Sequence, residues 1–384
     1  MKKILITGGC GFIGAEIVKQ LYEDKEFEVT VYDAMIEQIH GNNWRTSYLY
    51  KSIENKCDFI KGDVRDYSLL QKAIIGKDII IHLAAETGTG QSMYRINQYN
   101  EVNIMGTSNI LQAISSLGEK NNVKKVILAS SRAVYGEGKY ECPKCGVIYP
   151  SSRIKQKMLA GDFTMYCNVC GAKAKAVETS EDSKIQPNSL YAFTKFAQET
   201  MLQTMCPSLG IEYTIFRFQN VYGVGQSLKN PYTGILSIFS SLLLENRDIN
   251  IFEDGKETRD FINVKDVAAG VVKSIFCDES NSQIINLGSG KSTSVLEIAR
   301  YLKKAYKSNS KLNITGDFRI GDIANNIADV TKSEKLLGFR CCISLEEGLK
   351  DFCRWVEEEE KDTSGYEKSL TEMESTGMFV RKNK

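Results

Sequence analysis

The chain has 384 residues, 42% hydrophobic and 25% charged, with a formal net charge of +1. That balance is the composition of a globular protein, and it gives no overall field to draw the chain onto nucleic acid or an anionic membrane. Only two histidines, His40 and His82, accompany eleven cysteines. So few imidazoles argue against a Ser-His-Asp hydrolase or a multi-histidine metal centre, and the odd cysteine count argues against a disulfide framework.

The apolar run at 3–7 leads into Gly8-Gly9-Cys10-Gly11-Phe12-Ile13-Gly14 and then a helical pattern over 12–23. The glycines arrive too early for the opening residues to be a signal peptide. No apolar run reaches the length of a membrane span, so a cytoplasmic protein with no membrane partner is expected. A strand turning tightly into a helix aims free N–H groups and the positive helix end at one spot, where a pyrophosphate fits. The spacing of Gly8, Gly11 and Gly14 suits such a turn, although a ligand-free strand–helix turn would share it. The next apolar run, 27–32, ends at Asp33, where a carboxylate holds a ribose hydroxyl and repels a 2′-phosphate. NAD is therefore favoured over NADP; a plain strand-end cap is the other reading of Asp33.

Further strands are expected at 57–60, 78–83 and 124–129, with helices near 66–75 and 97–117 between them. This βαβ rhythm predicts a doubly wound parallel sheet of the Rossmann kind. His82 lies inside an apolar strand and reads as a satisfied core histidine. The strand at 124–129 runs into Ser130-Ser131-Arg132-Ala133, which places a hydroxyl at the ligand-facing end of the sheet.

Residues 137–180 interrupt the rhythm. Cys142-Pro143-Lys144-Cys145 and Cys167-Asn168-Val169-Cys170 are separated by twenty-one residues, a spacing that presents four thiolates to one tetrahedral ion. Four thiolates leave no open position, so a structural zinc is expected at Cys142, Cys145, Cys167 and Cys170. Lys144, Arg153, Lys155 and Lys157 would suit a nucleic-acid-binding ribbon, but aromatic residues between them are sparse and no nucleic acid partner is expected.

Asn188-Ser189-Leu190-Tyr191 opens the next helical run, which extends to about residue 205. Tyr191 and Lys195, one turn apart, share a face. An ammonium ~4 Å from a phenol contributes about 4 kcal/mol toward the phenolate at an effective dielectric near 20, so Lys195 is expected to bring Tyr191 close to neutral pH. Strands follow at 212–217 and 284–287. Beyond 222 the pattern is less regular, and the polar end, 356–384, is expected to be a frayed, partly disordered tail.

Taken together these stretches resemble the extended short-chain dehydrogenase/reductases, specifically the NAD-dependent nucleotide-sugar epimerases and dehydratases. The glycine turn, Asp63-Val64, His82-Leu83-Ala84-Ala85, Asn103 within 102–107, Ser130–Gly136, Tyr191 with Lys195, Arg217–Gly223, Arg259-Asp260-Phe261 and Arg319-Ile320-Gly321-Asp322 carry the likeness. It implies NAD held by Gly8, Gly11, Phe12, Ile13, Asp33, Asp63, Val64, Leu83, Ala84, Ala85, Asn103, Tyr191 and Lys195. It implies catalysis by Ser131, Tyr191 and Lys195, and a nucleotide sugar held by Ser131, Arg132, Asn220, Arg259, Arg319 and Asp322. A homodimer through helices at 97–117 and 189–207 is also implied. Residues 1–136, 181–220 and 260–288 would form the NAD-binding domain and 221–259 with 289–355 a smaller substrate domain, with 137–180 a zinc-ribbon-like insert.

In related dehydratases an Asp-Glu pair follows the catalytic serine or threonine and expels water; Arg132-Ala133 stands there instead, which favours epimerisation. Cys10, where alanine is usual, is a second departure without evident chemical consequence. Gly90–Tyr94, Gly225–Gly234 and the cysteine-rich insert resemble dTDP-L-rhamnose 4-epimerase-type sequences, implying 4-epimerisation of a nucleotide-linked 6-deoxyhexose. A UDP-hexose 4-epimerase, a dehydrogenase or reductase with net NADH turnover, and a non-catalytic NAD-binding regulator are the alternatives.

Overall fold

Apolar residues on both sides of a strand demand cover on both faces of the sheet. The computed structural model describes residues 1–24, 26–228, 234–359 and 364–382. In it, β1 (Lys2–Thr7), β2 (Phe27–Asp33), β3 (Asp58–Lys61), β4 (Ile79–His82), β5 (Lys125–Ser131), β6 (Glu212–Phe218) and β7 (Gln283–Leu287) form one parallel sheet in the order 7-6-5-4-1-2-3. Ile4 and Ile6 of β1 enter one core and Leu5 the other; Ile79 and Ile81 of β4 divide from Ile80 in the same way. The first core is closed by α1 (Phe12–Tyr22) and by the helix Val264–Ile275. The second is closed by α2 (Tyr67–Ile74), α3 (Gly106–Leu117) and α4 (Leu190–Ser208). The strand order reverses between β1 and β4, which opens a crevice at their C-terminal ends.

A separate apolar core gathers Tyr222, the helices Ile235–Leu244 and Val295–Ala305, and the helix Leu345–Glu358. The insert forms its own small sheet, with Tyr140–Cys142 flanked by Gly146–Ile148 and Lys175–Ala176.

Two expectations are corrected. The helix expected over 97–117 is not continuous: a short turn at Ile96–Tyr99 and a π-helical stretch at Asn100–Met105 precede α3. The π stretch coincides with Asn103 reaching across to the Glu86 backbone, the kind of local demand that widens a helix. The tail is also more ordered than its composition suggests. Ser364–Ser375 is a helix, and Phe379–Val380 pairs with Phe318–Arg319. Tyr366, Leu370 and Met373 recur at helical spacing and pack with Phe379 against Phe252. Residues 360–363 and 383–384 of the expected tail, and 229–233 of the Gly225–Gly234 stretch, lie outside the described residues.

Candidate active site

The glycine turn is built as its spacing demands. Gly8 has φ +73°, and a Cβ there would stand 2.7 Å from the Ala84 nitrogen. A Cβ at Gly14 would stand 2.5 Å from the Gly8 carbonyl oxygen. No side chain caps the start of α1 at Gly11, and the first turn carries no acid. The first N–H groups of the helix therefore face an open crevice at its positive end. The crevice has a volume of about 390 Å³ and is lined by Gly8, Gly11, Phe12, Ile13, Asp33, Asp63, Val64, Leu83, Ala84, Ala85, Ser131, Tyr191 and Lys195. An uncapped helix end, side-chain-free backbone and a terminal carboxylate fit a dinucleotide.

Asp33 does double duty. Its two oxygens accept the Met35 and Cys10 N–H groups, each at 2.9 Å, which fixes the turn. Each oxygen keeps a lone pair for a ribose hydroxyl. Burial pushes the Asp33 carboxyl up, against the pull of the Met35 N–H, His40 and the Cys10 N–H. The same burial, with Asp33 beside it, keeps the Cys10 thiol protonated. Asp63 faces the crevice but is engaged by Arg65 at 2.7 Å. His82 is satisfied by Thr7 at 2.7 Å and Thr107 at 2.9 Å, and burial lowers it to about 3. Asn103 bonds to Glu86, which lines the crevice. It is fully buried away from the crevice lining, and its amide is spent on the backbone of Glu86 and the hydroxyl of Thr194. It shapes the crevice wall from behind.

Ser189 caps α4 by accepting the Ala192 N–H at 3.2 Å, and Ser92 accepts the Tyr191 N–H at 3.1 Å. These two contacts fix the backbone at Tyr191, and the neighbouring Ser131 hydroxyl favours its phenolate. The electrostatics differ from the simple pair expected. The Lys195 Nζ is 6.0 Å from the Tyr191 ring centre and donates to the Ala129 carbonyl at 2.9 Å. Burial lowers Lys195 to about 7, with Glu199 opposing. Burial likewise raises Tyr191, while Ser131 and the charge of Arg132 oppose. Desolvation is the largest influence on both groups, ahead of the neighbouring charges.

Beyond Tyr191 lies a cluster of charge. Burial lowers Arg132 to about 10, with Arg259 adding to the effect and Asp322, Glu137 and Tyr191 opposing. Its guanidinium has no hydrogen bond or ion pair among the described residues. Arg259 pairs with Asp322 at 2.9 Å. Burial works to raise the Asp322 carboxyl, but Arg259, Arg319 and Arg153 outweigh it and hold it below the usual range. Arg319 lies over the Phe252 ring at 5.2 Å with its buried Nε unpartnered. The buried Asn220 Oδ1 is also unpartnered. Of the expected substrate set only Ser131 lines the dinucleotide crevice; Arg132, Arg259 and Asp322 gather beside it, next to Tyr191.

Residues 5–150 match the family model of GDP-mannose 4,6 dehydratase, and residues 164–288 match that of the NAD dependent epimerase/dehydratase family. The chain is 36% identical to a dTDP-L-rhamnose 4-epimerase of Burkholderia thailandensis, over 93% of this chain and 96% of that one. The protein belongs to the NAD-dependent epimerase/dehydratase family. A UDP-glucuronate 4-epimerase of Thermodesulfobacterium geofontis is 29% identical over 92% of this chain and 96% of its own. The crystal structure of the UDP-glucuronic acid 4-epimerase of Bacillus cereus with UDP-glucuronic acid and NAD superposes with a TM-score of 0.75. It is 25% identical and covers 93% of this chain and 99% of that one.

Within this family member, the support behind the site was not evident from the sequence. Glu199 and Arg217, buried at 0% and 2% exposure, form a bidentate pair at 2.7 and 3.0 Å. Glu199 also accepts the Ser130 hydroxyl, and Arg217 donates to the Tyr135 oxygen at 2.9 Å. Glu199 one turn after Lys195 was the available signal, since a helical acid there shares the lysine's face.

The four insert sulfurs lie within 4.8 Å of one another, with Cys142 and Cys170 3.5 Å apart. A tetrahedral zinc about 2.3 Å from each thiolate would set sulfurs roughly 3.8 Å apart. The Lys144 and Val169 N–H groups point at the Cys142 and Cys167 sulfurs, at 3.5 and 3.4 Å. The donor set fits one closed tetrahedral ion.

Proposed function

We propose that this enzyme is an NAD-dependent 4-epimerase of a nucleotide-linked 6-deoxyhexose, similar to dTDP-L-rhamnose, with a structural zinc in the insert. The observation that carries the reading is Ser131 and Tyr191 meeting beside Lys195, with Arg132 standing where a dehydratase needs acids. When bound, NAD supplies a two-electron acceptor that later becomes the donor, so that a C4 alcohol passes through a ketone and returns inverted. Tyr191 Oη takes the C4 hydroxyl proton and gives it back when the alcohol re-forms. Ser131 Oγ holds the same oxygen and stabilises the phenolate. Arg259 and Arg319 bring unspent donors to a diphosphate, which arginine binds bidentately. The uncapped start of α1 and Asp33 would hold the dinucleotide's pyrophosphate and ribose.

The cofactor half would comprise 1–136, 181–220 and 260–288, and the substrate half 221–259 and 289–355. Exposed Ile96, Met105, Phe193 and Met205 on neighbouring helical segments support a homodimer through that face. No helix among the described residues is long and apolar enough to cross a membrane. Eleven cysteines without a disulfide fit the cytoplasm.

A second reading, epimerisation of a UDP-hexuronate, is favoured by one feature. The unpaired Arg132 guanidinium beside Tyr191 would accept a sugar carboxylate. Incubating the protein with dTDP-L-rhamnose, UDP-glucuronate and UDP-glucose, and reading C4 configuration by NMR, separates the two. C4 inversion in none of them, or sustained absorbance at 340 nm with excess NAD⁺, overturns the epimerase reading.

A further inference from the structure

The insert does more than decorate the surface. Its first residue, Glu137, follows directly on the Ser131 turn, and its carboxylate accepts the Ala324 N–H at 3.0 Å. Arg153, further along, has a side chain only 3% exposed. Its two Nη groups grip the Glu253 carboxylate, one of them at 2.8 Å, and the same nitrogen donates to the Asp322 carbonyl at 3.0 Å. The far end of the insert is stapled to the same strap, because the Thr179 N–H donates to the Ile327 carbonyl at 3.0 Å. The strap 322–327 is thus held by the insert from one side.

From the other side it holds Arg259. The Arg259 Nη2 meets the Asp322 carboxylate at 2.9 Å, and its Nη1 donates to the carbonyls of Thr258 at 2.9 Å and Ala324 at 3.4 Å. Three of the five guanidinium donors are spent on positioning, which leaves Nε and one Nη2 hydrogen for a ligand. The small core around the thiolates contains Ala324 itself, packed with Tyr140, Cys142, Ile148, Met165 and Cys167. The residue that Arg259 touches therefore sits in the pocket that the thiolate cluster builds.

We propose that Arg153 is a positioning residue for the nucleotide diphosphate, acting through Asp322 on Arg259, and that a metal ion on the four thiolates keeps this brace in register. The inference rests on the nucleotide-sugar reading of the site. Without the brace, the Asp322 carboxylate and the strap carbonyls drift, and the Arg259 fork loses its fixed aim. The dinucleotide crevice, built on β1, β2 and α1, is untouched by this.

The test uses the purified full chain. Metal content is measured by mass spectrometry, bound NAD by chromatography, and affinity for UDP and dTDP by calorimetry. Arg153→Met is expected to weaken binding of the recognised nucleotide ten- to hundredfold and raise KM alike. NAD content should not change, kcat should stay within a few-fold, and Arg153→Lys should recover part of the loss. Releasing the metal from wild type with a mercurial, followed by its removal with thiol, is expected to produce the same loss, reversed by added zinc. If Arg153→Met fails to fold because Glu253 is left unpaired, Arg153→Met/Glu253→Gln takes its place. Unchanged nucleotide affinity in the folded variant, or in the metal-free protein, overturns the inference alone. Wild type that binds neither UDP nor dTDP overturns the functional reading with it.

Discussion

Replacing Glu199 with Gln removes a buried charge while keeping its shape. In the native structure that carboxylate accepts two Arg217 donors, at 3.0 and 2.7 Å, and the Ser130 hydroxyl. Exposed ion pairs are worth about 0–1 kcal/mol, but neither partner here is exposed. The amide offers one acceptor where there were two and turns an NH₂ toward the guanidinium. Leaving an uncompensated buried cation costs about 3–5 kcal/mol, a large share of the roughly 5–15 kcal/mol that holds a domain folded. Thermal melting should fall by roughly 5–10 °C. A second consequence follows from position. Glu199 supports the charge of Lys195, which burial has already lowered to about 7. Glu199→Gln should lower Lys195 further, so the alkaline limb of the pH–activity profile, where the ammonium is lost, moves toward acid. Melting within 1–2 °C of wild type, or an unmoved limb, would refute the reasoning.

Tyr191→Phe should cost at least 10²–10⁴ in kcat, the usual worth of a positioned acid–base group, with bound NAD and melting temperature kept; activity within tenfold would count against the phenol. Lys195→Met should stabilise the cofactor-stripped protein while inactivating it. The lysine's folded value of about 7 lies below its ordinary value near ~10.4, so the unfolded chain binds more protons between those pH values. Native stability should then rise with pH across that window and carry the full burial cost below pH 7, about 5 kcal/mol at most. The variant should show a flatter stability–pH curve and a higher melting point at neutral pH. Gly14→Ala would drive a Cβ to 2.5 Å from the Gly8 carbonyl and 2.6 Å from the Gly9 Cα. Overpacking against rigid backbone costs about 1–3 kcal/mol, and the cofactor content of the purified protein should collapse; normal NAD loading would show that the turn can shift.

The sequence by itself determined the sheet and the cofactor end of the crevice. Period-two apolar strands, the glycine turn and Asp33 are local patterns, and each acts on neighbours within a few residues or on one bound group. The paired cysteines were legible for the same reason, since each C-x₂-C knuckle closes on itself. Tertiary structure decided the rest. Asn103 is tied to Glu86 and Thr194, 17 and 91 residues away. The 364–380 tail folded because Tyr366, Leu370, Met373 and Phe379 find Phe252, although their stretch is polar on average. The acidity of Tyr191 and Lys195 is set by burial and by Arg132, Ser131 and Glu199 acting together, and the Asp322 strap is gripped by Arg153 from 169 residues away. Such electrostatic effects depend on distances of a few ångströms between segments remote in the chain, and only the folded packing fixes those distances.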